Sequence, residues 1–130
     1  MIPALDIHLH AAQDIARLRE IDVKAAAAVL VALEQIKADP RAIDKLTTHG
    51  ENRLGTARLG VKRWEAVRRV ANLWRFRVFD TPATTYRVVY GYHYQTRQIC
   101  VLAVVLKEEF DYDDLDSDLA RRILADWRSI

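Results

Sequence analysis

The stretch Gln98–Leu106, QICVLAVVL, is apolar at eight successive positions. A strand with no polar face has to be covered on both sides, so this segment predicts a central strand of a layered sheet. Its neighbours stand just upstream. LWRFRVF, residues 73–79, alternates polar and apolar positions. YRVVYGYHY, residues 86–94, alternates in part, with aromatic residues at Tyr86, Tyr90, Tyr92 and Tyr94. The connections are short, which favours an antiparallel meander over residues 73–79, 86–94 and 98–106.

The rest of the chain supplies the layers. ALDIHLH alternates Leu5, Ile7 and Leu9, a short strand signal, and AAQDIARLRE spaces Ile15 and Leu18 for one helix face. DVKAAAAVLVALEQIKADP is the strongest helix, with Asp22 as its cap and Pro40 as its stop. The break at Ile21–Asp22 makes the pair a helical hairpin that packs on the strands. Residues 41–60, with three glycines, read as a short helical turn followed by a mobile loop. Val61, Trp64, Val67 and Val70 recur every three residues and predict a helix; a strand running towards LWRFRV is the alternative. SDLARRILADW reads as a terminal helix capped by Ser117 or Asp116, with Leu119, Ile123, Leu124 and Trp127 on its apolar side. So short a helix at a chain end is expected to detach at modest cost. The predicted order is β-α-α-β-β-β-α. It describes one α+β domain, residues 1–130, with helices on one side of a curled antiparallel sheet.

Charge is distributed unevenly. Residues 40–98 hold twelve Lys/Arg against four Asp/Glu, whereas residues 99–130 hold four against eight. A basic middle of this kind suits a polyanion or an acidic protein partner. The single cysteine, Cys100, excludes an intrachain disulfide and a cysteine-cluster zinc site, and its apolar setting makes it a small core residue. No cofactor or metal is expected. Nothing resembles a secretory leader, and the longest apolar run, Ala25–Leu33, is too short to cross a bilayer. The expectation is a cytoplasmic protein without membrane contact.

Three arginines lie within the predicted strands. Alternation sets Arg75 and Arg77 on one face and Trp74, Phe76 and Val78 on the other. The two arginines leave the sheet roughly 7 Å apart, close to the spacing of successive phosphates on a single strand. Arg87 has opposite parity to Tyr86, Val88 and Tyr90. If it shares the face of Arg75 and Arg77, three guanidinium groups converge, and the strands contain no acid to neutralise them. Arginine grips phosphate through two parallel hydrogen bonds and keeps its charge at any relevant pH. Arg75, Arg77 and Arg87 on one solvent-accessible face, with Lys107 at its edge, is therefore the expectation.

The segments LWRFRV, YRVVY and VLAVVLKEEFDY, in this order and spacing, resemble the RelE/ParE superfamily of toxins from bacterial toxin–antitoxin pairs. The resemblance covers the meander and, in outline, the helical hairpin; the insertion at His49–Ala71 is longer than in compact members. It implies a RelE-like fold, a cognate antitoxin in a hetero-oligomer, and endoribonuclease action on messenger RNA, on the ribosome, as in RelE- and HigB-like members. By position it puts Arg87 on the scissile phosphate and Arg75 and Arg77 where the nucleases place basic residues on the first meander strand; Arg87, Arg77, Lys107 and Tyr112 are the catalytic candidates it implies. Lys107 takes the place of the basic residue after the last strand, and Phe110 or Tyr112 that of the terminal aromatic. Arg75, Arg77, Lys62 and Arg63 are the expected RNA-binding residues. The reaction is metal-independent: the ribose 2′-hydroxyl attacks the adjacent phosphorus, and fixed cations stabilise the added charge. It still needs a base and an acid, which arginine does not supply. His49 and His93 are candidates by chemistry alone. The superfamily also contains ParE-like inhibitors of DNA gyrase, and a homologue that only binds its antitoxin is a third possibility. The acidic run EEFDYDDLDSD serves capping and solvation or leans over the basic face.

Overall fold

The computed structural model describes residues 4–130; the one-domain reading also takes in residues 1–3, which lie outside the described residues. Strand β1, Ala4–Ile7, leads into helices α1, Leu9–Ile21, and α2, Val23–Ala38, then a short α3, Ala42–Leu46. Strands β2, Gly50–Leu54; β3, Ala57–Arg63; β4, Leu73–Val78; β5, Tyr86–His93; and β6, Gln98–Leu106, follow, and α4, Asp118–Arg128, closes the order. The six strands form one sheet in the order β1-β6-β5-β4-β3-β2. Strands β2 to β6 pair antiparallel in succession, and β1 adds to β6 in parallel. The class is α+β, with a helical hairpin on a curled meander and a C-terminal helix. No helix among the described residues is long and apolar enough to cross a membrane.

The apolar run in β6 is covered on both faces. Ile99, Val101 and Val104 join the core under the α1–α2 hairpin, together with Trp74, Phe76 and Tyr90. Cys100, Leu102, Ala103 and Val105 join a second core with Leu73, Val89, Trp64 and, from α4, Ala120 and Ile123. A bulge breaks the strict alternation: Val89 pairs with Ala103 while Tyr90 pairs with Val101, leaving Leu102 as the extra residue. An inserted residue of this kind bends the strand and increases its twist. The Tyr90 hydroxyl, buried, donates to Leu46 O at 2.6 Å and ties α3 to the sheet. Burial alone pushes this phenol well above its ordinary range.

Four expectations are corrected. Residues 50–60 are not a loop: β2 and the first half of β3 form a hairpin joined by Gly55-Thr56, with Leu54 opposite Ala57. Gly55 has φ +60, a backbone conformation that favours glycine, and a Cβ there would also push the Gln35 side-chain amide aside. Residues 61–71 are not a helix. Val61–Arg63 complete β3, as the strand alternative held, and only Glu65–Val67 form a 3₁₀ turn. The period of three arose because Val61 belongs to one core and Trp64 and Val67 to the other. The helices do not share one side either: α4 packs on the face opposite the hairpin.

Nor is α4 loosely held. Ala120 and Ile123 are fully buried. Arg122 donates to Asp14 Oδ1 at 3.1 Å and Oδ2 at 2.8 Å, and to Leu102 O at 3.1 Å. Asp14, itself buried, also accepts from Val104 N at 3.0 Å, so one carboxylate joins α1, β6 and α4. Trp127 lies against Gly91, where any Cβ would stand 2.2 Å from Cζ3 of the indole, and stacks on His93 at 4.1 Å.

Candidate nucleic-acid interface

The face that carries α4 continues past it as an open groove across β3, β4 and β5. Cross-strand register builds its floor. Lys62 pairs with Arg75 and Gly60 with Arg77, while Arg75 pairs with Val89. One further step in that register sets Arg77 opposite Arg87. The groove measures about 740 Å³ and is lined by Lys62, Arg75, Arg77, Arg87, Lys107, Phe79, Phe110 and Tyr112 among others. Among the described residues, no carboxylate lies within 4.0 Å of a charged nitrogen of Lys62, Arg75, Arg77, Arg87 or Lys107. The groove therefore gathers cations without ion-pairing them.

Aromatic rings hold two of these cations in place. The Arg75 guanidinium lies 3.8 Å above the Tyr112 ring and that of Arg77 lies 4.4 Å from the Phe79 ring. Planar guanidinium stacks on an aromatic face and keeps its N–H edge free for an anion. Arg87 differs from the expectation of a solvent-exposed residue: it is 8% exposed. Its Nη1 donates to Thr84 O at 2.9 Å and Tyr86 O at 3.0 Å. Burial, then the charges of Arg77 and Arg75, hold its pKa below the ordinary arginine value, while Tyr112 acts in the other direction. A cation so placed is electrostatically underserved.

Tyr112 closes the groove. Its ring packs edge-on against Phe110 and Trp64, and its carbonyl accepts from Trp64 Nε1 at 2.7 Å. Its hydroxyl is buried and has no hydrogen-bond partner among the described residues. Burial pushes the phenol up to about 12, against the pull of Arg75 and Arg87. The group keeps its proton at neutral pH and faces two cations that would stabilise its anion.

The remaining candidates divide. His49 lines the groove, with Nε2 3.9 Å from Glu65 Oε1. His93 lies outside it, stacked on Trp127. Arg63 alternates away from Lys62: it pairs with Trp74 and sets its guanidinium 5.7 Å from that indole, outside the groove lining. Of the acidic run, Asp111 and Asp113 reach the groove wall. Two contributors were not anticipated as site residues. Trp64 positions the Phe110–Tyr112 segment, and Phe79 seats Arg77. The signal for Trp64 lay in reading residues 57–63 as a strand, which ends the chain's run beside the second core.

No protein-family profile and no curated protein matches the chain. Among solved structures, that of the archaeal RelE–RelB complex from Pyrococcus horikoshii OT3 is similar at a TM-score of 0.46 and 14% identity, over 85% of this chain and 100% of that one.

Proposed function

We propose that the chain is a single-domain toxin of a type II toxin–antitoxin pair, acting in the cytoplasm as a cofactor-free endoribonuclease on messenger RNA, on the ribosome. The observation that carries this reading is the convergence of Arg75, Arg77 and Arg87 in one groove with no carboxylate in ion-pair range among the described residues. The RelE/ParE resemblance of the meander supports it. Arg75, Lys62 and Lys107 hold flanking phosphates. Arg77 and Arg87 face the scissile one and stabilise the charge that builds on its non-bridging oxygens. His49, the imidazole in the groove, takes the proton of the 2′-hydroxyl as its oxygen bonds to phosphorus. The bond from phosphorus to the 5′-oxygen breaks, Tyr112 protonates that oxygen, and a 2′,3′-cyclic phosphate remains. The antitoxin covers the basic groove; α4 is too well anchored to be the segment it displaces.

The test is primer extension on messenger RNA translated in the presence of the purified protein. Discrete cleavage is expected, reduced by Arg77→Ala and His49→Ala. Arg75→Ala and Arg77→Ala should each lower the salt dependence of RNA binding by about one released ion. Messenger RNA that stays intact with the wild-type protein during growth arrest refutes the nuclease reading. Asp111 and Asp113 on the groove wall favour the second reading, a protein-binding groove, either in a ParE-like inhibitor of DNA gyrase or in a homologue that only binds its antitoxin. A supercoiling assay separates these two.

A further inference from the structure

Away from the groove, the corner where β1 passes into α1 meets the last turn of α4. His8 caps α1, its Nδ1 accepting from His10 N at 3.1 Å. Asp126, 7% exposed, reaches this corner from α4. Its Oδ2 lies 2.7 Å from His10 Nδ1 and 3.5 Å from His8 Nδ1. The three ligand atoms all stand within 4.8 Å of one another. We propose that His8, His10 and Asp126 form a Zn²⁺ site that staples α4 to the β1–α1 corner, separate from the groove and independent of its function.

Geometry and chemistry both lead there. Zinc takes nitrogen at about 2.0–2.1 Å and carboxylate oxygen at about 2.0–2.2 Å, so neighbouring ligands of a tetrahedral ion stand roughly 3.3–3.5 Å apart. The His8–Asp126 pair already has this separation. The His10–Asp126 pair is at hydrogen-bond length and opens by about 0.6 Å to admit the ion. Two imidazoles and one carboxylate suit zinc rather than magnesium or calcium, which prefer oxygen ligands throughout. His10 is the exposed member, with 41% of its side chain open, and leaves both an entry path and a fourth position for water. Two features weaken the site relative to a four-ligand structural zinc. His8 Nδ1 has to give up the His10 N–H. The Arg122 Nε also stands 3.9 Å from Asp126 Oδ2, although its terminal nitrogens are bound to Asp14 and Leu102 O. Because the ligands come from the two ends of the chain, only the folded state assembles them, and binding stabilises the fold.

The test uses the full chain without a polyhistidine tag, stripped of metal with a chelator. Calorimetric titration with ZnCl₂ is expected to give one ion per chain, Co²⁺ to give the intense visible absorption of a tetrahedral complex, and saturating Zn²⁺ to raise Tm by about 5–10 °C. His10→Ala should lower the affinity at least tenfold; it also takes from the buried Asp126 its partner at 2.7 Å, so its metal-free Tm falls, and the Zn²⁺-induced rise in Tm, measured against the variant's own metal-free value, is expected to vanish. Asp126→Asn is the second variant, with the same expected loss of binding. Absence of 1:1 binding, a weak octahedral Co²⁺ spectrum, or binding that survives both substitutions overturns the site.

Discussion

Replacing Arg87 by alanine separates catalysis from stability. Arg87 is buried and its Nη1 serves two backbone carbonyls, at 2.9 and 3.0 Å. Hydrogen bonds from a charged donor contribute about 1.5–3 kcal/mol each. One nitrogen makes both, so the gross loss is nearer the value of one good bond than of two. Against it stands relief: the charge is desolvated and repelled by Arg77 and Arg75. Removing a buried cation that lacks a carboxylate partner recovers part of that penalty. The net cost is therefore about 1–2 kcal/mol, or roughly 3–10 °C in Tm for a chain of this length. A domain of this size typically holds ~5–15 kcal/mol, so the variant keeps at least ~3 kcal/mol and under ~1% unfolds at 25 °C. The expected loss of cleavage is about 10²–10³-fold, the usual effect of deleting one preorganised donor to a developing oxyanion. Unfolding of one chain in a hundred does not produce that loss. Cleavage rate by primer extension and thermal unfolding by circular dichroism are measured on the same preparation. Arg87→Lys keeps the charge without the planar fork and should regain stability more than rate. If Arg87→Ala cleaves at the wild-type rate while folded, the groove does not act through this guanidinium.

Three further outcomes follow from packing and charge. Gly91→Ala brings a Cβ to 2.2 Å from Trp127 Cζ3 and 3.0 Å from Leu73 Cδ2, and should cost about 1–3 kcal/mol; an unchanged Tm would mean that Trp127 does not pack there. Asp14→Ala leaves the part-buried Arg122 without its carboxylate and Val104 N without its acceptor, an expected cost of about 3–5 kcal/mol in chemical denaturation, with early exchange of α4 amides. Tyr112→Phe removes a hydroxyl that is buried without a partner, so stability at neutral pH should hold or rise while cleavage falls at least about tenfold. Its pH signature is specific. The unfolded phenol ionises near 10 and the folded one at about 12, so the wild type loses stability as pH rises through that window. The phenylalanine variant should lose less there, retaining only the contribution of groups such as Tyr90, and equal alkaline slopes would refute the assignment.

The meander, the helical hairpin and the capped ends of α2 and α4 were legible in the sequence because each depends on short-range pattern. Asp22 does accept from Ala25 N and Ser117 from Ala120 N, as their positions relative to the apolar runs require. The parity of Arg75 and Arg77 against Trp74 and Phe76 also followed from alternation alone. The β2–β3 hairpin did not: β2 is an edge strand with most of its residues solvated, so Glu51, Asn52 and Arg53 carry no apolar alternation, and only Gly55-Thr56 marks the turn. What tertiary structure decided was which surfaces meet. Arg87 comes to share one groove with the Phe110–Tyr112 segment, which is held by the Trp64 indole 48 residues earlier in the chain. His8 and Asp126 meet because β1 joins β6 in parallel while α4 returns across the opposite face. Period and propensity act over a few residues and fix each side chain's face on its own element. Contacts between elements far apart in sequence depend on how whole faces close against one another, and no local window of this chain records that.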